Sequence, residues 1–194
     1  MIGGFNGAEG QQGNNVIIAG NGSNTIYGNG VVGIKGATGG NNLIVGGSGA
    51  DTIYGAFGSV SPSDGGEGGR NLIVSGGGAD VVYASQQTDG AEGGHGSILV
   101  SGTTNLGQAA LLAVLSEWTS ERDYLTRVTN ILGIGTGPRN NGSNFLLPGV
   151  TVYGDAVVDQ LFGDTQGQFN WFLLSVPADQ FERYKSGEVI IGLP

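Results

Sequence analysis

The chain has 194 residues, of which 41 are glycine, and it carries a formal net charge of −9 at pH 7 with no cysteine. The absence of cysteine excludes disulfides and thiolate metal sites, and the negative charge argues against a nucleic-acid partner, because phosphate binding needs basic patches. No apolar run approaches the roughly 20 residues that a membrane-spanning helix needs, so we expect no membrane insertion.

The first half of the chain alternates short aliphatic strands with glycine-rich turns. Each strand follows an Asn or Ser and holds three aliphatic residues, at residues 15–18, 42–45, 71–74 and 97–100. Residues 46–54, Gly-Gly-Ser-Gly-Ala-Asp-Thr-Ile-Tyr, fit the nine-residue pattern G-G-x-G-x-D-x-U-x, where U is aliphatic. Near-copies lie at residues 19–27, where Asn24 replaces Asp, and at residues 75–83, and a fading fourth copy begins at Ser101. The recurrence makes the pattern more specific than a single copy in a glycine-rich chain.

The chemistry of this pattern indicates calcium. Its glycines permit a tight turn and a close backbone approach, and its Asp carboxylate faces a concavity lined by main-chain carbonyls. Calcium takes about six to eight oxygen ligands, more than one turn can supply, so we expect the ligands to come from stacked turns. Asn is a neutral ligand, so the site at Asn24 should be weaker or empty. The candidate metal ligands are Gly46, Gly47, Gly49, Asp51, Ser75, Gly76, Gly78, Asp80, Gly20, Gly22 and Asn24.

These nonapeptides resemble the RTX family, the hemolysin-type calcium-binding repeats that fold as a parallel β-roll. The resemblance covers roughly residues 13–102, is specific at residues 46–54 and 75–83, and is degraded at residues 19–27. It implies bound calcium, a secreted or cell-surface location, and type I secretion with a C-terminal, uncleaved signal.

The alternation of side chains along the strands predicts that something covers the aliphatic sheet. If Ile17, Ile44 and Ile73 point inward, their neighbours point outward and are also aliphatic, and such a sheet should be covered on both faces. The cover is either a helical insert or another copy of the chain.

The residues after each Tyr leave open whether the coil has two sides or three. A second set of turns, with Glu9, Glu67 and Glu92, is either solvated or a set of secondary cation sites.

Residues 105–133 are predicted to be a helical insert. Asn105 is placed to cap a helix over residues 107–118, and Thr119 or Ser120 to cap a second one over residues 121–130. The apolar positions of both helices recur at helical spacing, which suits a lid over the aliphatic sheet.

Strands resume in the last third of the chain. Val152, Leu161 and Trp171 restore the spacing of the coils, and residues 188–191 suit a last strand. Additional cation ligands are expected among Asp155, Asp159 and Asp164. The aromatic residues Trp171, Phe172 and Phe181 are expected to form a cap, since solenoids need capped ends.

These patterns predict an all-β fold: a parallel β-roll or β-solenoid with a two-helix insert and an aromatic C-terminal cap. We expect coils over residues 1–104, the insert over residues 105–133, and degenerate coils with the cap over residues 134–194. The function expected is a structural, calcium-binding extracellular module that assists secretion and folding. The alternative is a self-assembling subunit of a fibre or surface layer, a homo-oligomer or filament formed through the apolar sheet and an open N-terminal edge. An enzyme is not expected, because His95 is the only histidine and the seven Lys and Arg residues are scattered.

Overall fold

The computed structural model describes residues 1, 12–33, 37–60, 68–85, 95–164, 167–175 and 177–194. The strands are β1 Val16–Ile18, β2 Thr25–Tyr27, β3 Gly30–Gly33, β4 Leu43–Val45, β5 Thr52–Tyr54, β6 Phe57–Val60, β7 Leu72–Val74, β8 Val81–Tyr83, β9 Ile98–Val100, β10 Thr103–Thr104, β11 Val152–Tyr153, β12 Gln160–Phe162, β13 Trp171–Ser175, β14 Gln180–Glu182 and β15 Val189–Leu193. The helices are α1 Gln108–Trp118 and α2 Tyr124–Ile131, and neither has the length and apolar character needed to span a membrane.

Two parallel sheets lie face to face and form the coils. One has six strands in the order β1-β4-β7-β9-β13-β15, and the other has five in the order β14-β12-β8-β5-β2. The registers align one inward-facing apolar residue per strand, because each nonapeptide places its aliphatic residue at the centre of its strand. These residues form the core between the sheets: Ile17, Ile26, Ile44, Ile53, Ile73, Val82, Leu99, Leu161 and Phe172. The prediction of a parallel β-roll is therefore confirmed.

The helical insert covers the outer face of the six-stranded sheet. A second buried cluster joins the outward-facing sheet residues Leu43, Leu72 and Val74 to helix residues that include Leu111, Val114, Trp118, Val128 and Ile131. Trp118 is fully buried and donates from Nε1 to the carbonyl of Gly96 at 2.9 Å. Of the two predicted covers, the intramolecular one is therefore present.

The predicted helix caps were wrong. Helix α1 begins after Gly107 without a side-chain cap, whereas Asn105 donates to the carbonyl of Val150 at 3.0 Å and so ties the two ends of the insert together. Helix α2 is capped by Asp123, which accepts from the backbone N–H of Thr126 at 2.9 Å. Thr119 instead bonds back to the carbonyl of Leu115, which ends α1 rather than starting α2.

The first two coils have a third side. Strands β3 and β6 pair in parallel, and buried Phe57 packs with Ala37 and Ala56. The sequence left open whether the coil has two sides or three, and strand β6 gives the second coil a third side; residues 61–67 lie outside the described part. Glu9, Glu67 and Glu92 also lie outside the described residues.

Aromatic residues stack along the outer face of the five-stranded sheet and gather in the last coils. Tyr27, Tyr54 and Tyr83 form a ladder with ring centroids 5.0 Å apart, and Phe162 continues it at 4.8 Å from Tyr83. Of the residues predicted to form the cap, Trp171 and Phe172 lie on opposite faces of β13, and Phe181 in β14 contacts Phe172 at a centroid distance of 5.8 Å.

Candidate metal centre

A column of acidic and amide side chains runs along one corner of the coil, at the residue before each strand of the five-stranded sheet. Its members, called here the aspartate column, are Asn24, Asp51, Asp80, Asp159 and Asp179. The Oδ1 atom of each of the four Asp members accepts from the backbone N–H of the member before it, at 2.7 Å for Asn24 to Asp51, 2.8 Å for Asp51 to Asp80, 2.8 Å for Asp80 to Asp159 and 3.0 Å for Asp159 to Asp179. Successive coils therefore place their carboxyl groups one above the other.

The second carboxyl oxygen of three column members has no protein partner. The Oδ2 atoms of Asp51, Asp80 and Asp159 are buried and accept no hydrogen bond among the described residues. A buried carboxylate oxygen without a partner is costly. Three such oxygens at the same corner indicate a site at which a bound cation would complete their coordination.

The glycines let successive turns approach closely. A β-carbon on Gly46 would overlap the carbonyl oxygen of Ser75 and lie 2.6 Å from Oδ2 of Asp51, so a carboxylate and a carbonyl from adjacent coils meet beside this glycine. Gly47 and Gly76 have φ values of +113° and +107°, which side chains rarely adopt. The turns thus bring together carboxyl and main-chain oxygens from successive coils.

The donor set fits calcium better than a transition metal. No group of three or more His, Cys, Asp or Glu side chains in the described ranges is placed to hold a metal ion. Carboxylates are instead spaced one per turn, and carbonyl oxygens lie between them. Hard oxygen ligands drawn from carboxylates and the backbone are those that Ca²⁺ prefers.

The first turn differs from the next two. Asn24 donates from Nδ2 to Oδ1 of Asp51 at 3.0 Å and also to the carbonyl of Gly22. Gly20 and Gly22 have open space where a β-carbon would stand, because no coil with described residues lies beyond them. An amide that uses the carbonyl of its own turn supports the prediction that the Asn24 site is weak or empty.

Burial changes the acidity of the column in the metal-free protein. Removal from water raises the pKa of Asp80 to about 7 and that of Asp159 to about 8, although backbone N–H groups donate to both carboxylates. Neighbouring carboxylates add to the rise: Asp51 and Asp155 at Asp80, and Asp80, Asp179 and Asp155 at Asp159. A divalent cation would compete with protons for these oxygens.

Sequence reasoning found some members of the column and missed another. Asp159 stands directly next to Asp80, but Asp164 lies elsewhere, where it accepts from the Ser85 hydroxyl and where burial raises its pKa to about 6. Asp179 was missed, because no glycine turn precedes it. The sequence Asp-Gln-Phe at residues 179–181 repeats the Asp-Gln-Leu of residues 159–161, and this signal would have found it.

A second column, of amide and hydroxyl side chains that ends at the carboxylate of Glu188, stands at the opposite end of each coil. Its members, called here the amide column, are Asn15, Asn42, Asn71, Ser97, Asn170 and Glu188. Asn42 is fully buried: its Oδ1 accepts from the N–H of Asn15 at 3.0 Å, and its Nδ2 donates to Oδ1 of Asn29 and the carbonyl of Gly55, both at 2.9 Å. These amides are satisfied by protein groups, so this column serves structure.

The replacement Asn42→Ala should lower the free energy of unfolding by about 2 kcal/mol, because it leaves buried backbone groups without partners. Asn14→Ala is the matched control, since exposed Asn14 accepts one bond, from the N–H of Asn41 at 2.8 Å. Urea unfolding in calcium measures both. Equal losses would show that the amide column contributes no more than a surface ladder.

Comparison with known families agrees with this geometry. The family model described as RTX calcium-binding nonapeptide repeat (4 copies) matches residues 8–30, 37–59 and 66–95. These segments include the turns that carry Asn24, Asp51 and Asp80. No curated protein and no solved structure matches the chain.

Proposed function

Because residues 8–95 carry repeats of the RTX calcium-binding family, we propose that this chain is a calcium-stapled β-roll module that completes its folding outside the cell. Calcium binding is the property of these repeats, and proteins that carry them are typically secreted. The family is a structural module rather than a typical catalytic one. Calcium-dependent folding after export is the further step that we add.

One observation supports this proposal most strongly: the unpartnered, buried Oδ2 atoms of Asp51 and Asp80 in adjacent turns. In the metal-free protein the folded coil must hold these carboxylates away from water and close to one another, and this disfavours folding. Bound calcium would supply positive charge, and the oxygens that lack a protein partner would coordinate it. The turns hold those oxygens in place, and the Ile columns exclude water behind them.

The affinity for calcium should be that of extracellular calcium modules rather than that of cytosolic calcium buffers. Extracellular calcium modules have Kd values of about 10⁻⁴–10⁻³ M. In that range the coil stays metal-free in the cytosol, where it remains loosely folded, and is loaded outside. Ligands that are mostly carbonyls with one carboxylate per turn suit such modest affinity, because affinity rises with ligand charge.

The proposal predicts that Asp51→Ala and Asp80→Ala reduce calcium-dependent β structure, whereas His95→Ala does not, because only the first two remove an oxygen of the column. Far-ultraviolet circular dichroism in calcium and in excess chelator measures the structure, and isothermal titration calorimetry measures the affinity. We expect each Asp variant to weaken binding roughly tenfold or more. Wild-type spectra that are identical in calcium and chelator, together with no heat of binding, would refute the proposal.

Self-assembly is the second candidate function, and one feature favours it. Among the described residues, strand β1 is an edge of the six-stranded sheet, and its residues Val16 and Ile18 are 43% and 52% exposed. Exposed edge strands are templates for pairing with other chains. The neighbouring edge at β2 is contacted by Met1, whose carbonyl accepts from the N–H of Tyr27 at 2.9 Å. Electron microscopy of the purified chain in calcium separates the two functions: fibres or sheets support assembly, and dispersed particles support the monomeric module.

A further inference from the structure

The helical insert interrupts one turn of the aspartate column. Strands β7 and β9 pair with Val74 opposite Val100, so Ser101-Gly102 occupies the place of Ser75-Gly76. Gly102 has a φ of +111°, close to the +107° of Gly76, and its carbonyl accepts from the N–H of Gly76 at 3.0 Å. The fourth turn therefore begins as the second and third turns do.

The rest of that turn comes from beyond the insert. The chain departs at β10 and returns at β11, which pair with Thr103 opposite Tyr153 and so close the base of the insert. It then runs through residues 154–159 into β12, which pairs with β8 and sets Asp159 beside Asp80. Two segments about fifty residues apart in sequence thus build one turn, which we call the split turn: residues 101–102 and 154–159.

We propose that the split turn and the third repeat turn, residues 75–80, form a divalent-cation site, and that calcium bound there staples the two ends of the helical insert. This inference rests on the proposed function, since it assumes that the column binds calcium. It adds a site that includes residues beyond the matched repeats, which end at residue 95.

Two independent observations support the site. The first is that the buried Oδ2 atoms of both Asp80 and Asp159 lack a partner among the described residues, although Asp159 is fully buried. The second is Asp155, which lies in the returning segment of the split turn. Its Oδ2 accepts from the N–H of Gly78 at 2.8 Å, so this carboxylate reaches across onto the third turn.

The additional carboxylate distinguishes this site from those between the repeat turns. The junction of the first two turns offers Asn24 and Asp51, whereas the junction at the split turn offers Asp80 and Asp159, with the charge of Asp155 nearby but not gathered with them into one cluster. Because calcium affinity rises with the number of charged ligands, we expect the split-turn site to be the tighter of the two.

The chain contains a reporter for the staple. Its two tryptophans are Trp118 in the insert and Trp171 in β13, both fully buried, with ring centroids 6.2 Å apart. Undocking of the insert exposes both rings to water, so tryptophan fluorescence follows this event. Calcium at the split turn fixes both ends of the insert and should shift its undocking to higher urea concentration.

The test compares three isosteric variants of the full chain: Asp159→Asn and Asp155→Asn at the split turn, and Asp51→Asn as the matched control in the repeats. Calorimetry with calcium chloride counts sites and affinities, and tryptophan fluorescence in urea gives the midpoint in calcium and in chelator. We expect both split-turn variants to weaken the tightest site at least tenfold and to reduce the calcium-dependent shift of the midpoint. Asp51→Asn should weaken a different site and keep that shift.

The outcomes separate this inference from the proposed function. If the wild-type chain binds no calcium, the proposed function fails and this inference fails with it. If the wild-type chain binds calcium and both split-turn variants keep its tightest site and its calcium-dependent midpoint, the inference alone is overturned. Should Asp159→Asn not fold, Asp155→Asn decides, because Asp155 is partly exposed and an amide oxygen can still accept from Gly78.

Discussion

In chelator, the protein should become less stable as the pH rises from about 4 to about 8, and calcium should abolish this loss. The pKa values of Asp80 and Asp159 in the metal-free fold are about 7 and about 8, against an ordinary value of 3.8. Between these limits the unfolded chain has released the two protons while the folded chain retains them. Stability is therefore fully present below the unfolded pKa and is lost as the pH passes through the folded values.

The size of this effect should be large, because two carboxyl groups titrate at adjacent coils. The groups that face them are themselves acidic, namely Asp51, Asp155 and Asp179, so the column offers no positive charge to oppose the loss. We expect the melting temperature in chelator to fall by on the order of 10 °C across this range. In calcium the oxygens are neutralised at high pH, and the melting temperature should stay level or rise.

Thermal melting followed by circular dichroism, at several pH values with and without chelator, measures this dependence. The double variant Asp80→Asn, Asp159→Asn is the control, because neither amide ionises and the slope in chelator should nearly vanish. A wild-type melting temperature that rises with pH in chelator would contradict the assignment. So would a double variant with the wild-type slope.

The coils were predictable because their determinants are local and recur. The pattern at residues 46–54 specifies a turn, a carboxylate and an inward-facing aliphatic residue within nine positions, and its copies at residues 19–27 and 75–83 specify the same register. Once Ile26, Ile53 and Val82 align, the column of Asn24, Asp51 and Asp80 follows, since each residue lies two positions before its aliphatic partner.

The sequence indicated Asp159 as a candidate, but which residue stands beside it depended on tertiary register. Asp159 lies 79 residues after Asp80, and only the pairing of β12 with β8 brings them together. The predictions of the helix caps were wrong for a related reason. The local sequence suits Asn105 as an N-cap, but in the fold its side chain donates to the carbonyl of Val150, 45 residues later. Asp155 lies in a segment without the repeat pattern, and its position becomes informative only because its Oδ2 accepts from the N–H of Gly78.

The second large effect should follow Gly76→Ala, which we expect to lower the free energy of unfolding by about 4 kcal/mol. The left-handed φ of +107° at Gly76 is costly for any residue with a β-carbon. That β-carbon would also lie 2.8 Å from the backbone nitrogen of Gly47 in the preceding coil, which is closer than a β-carbon approaches a non-bonded heavy atom. Because both obstacles are backbone, no side-chain movement relieves them, and the coils must separate at the turn that places Ser75 beside Asp51.

Gly77→Ala is the matched control, one residue along the same turn. A β-carbon there would meet only Oδ2 of Asp155, at an ordinary 3.8 Å, so we expect a change of less than about 1 kcal/mol. Urea unfolding in saturating calcium gives both free energies, and calorimetry should show that only Gly76→Ala also weakens calcium binding, because separated coils no longer share oxygens. Equal effects of the two substitutions would show that the stacked turns tolerate a wider spacing. The close approach of successive turns would then not explain how carboxylates and carbonyls come together.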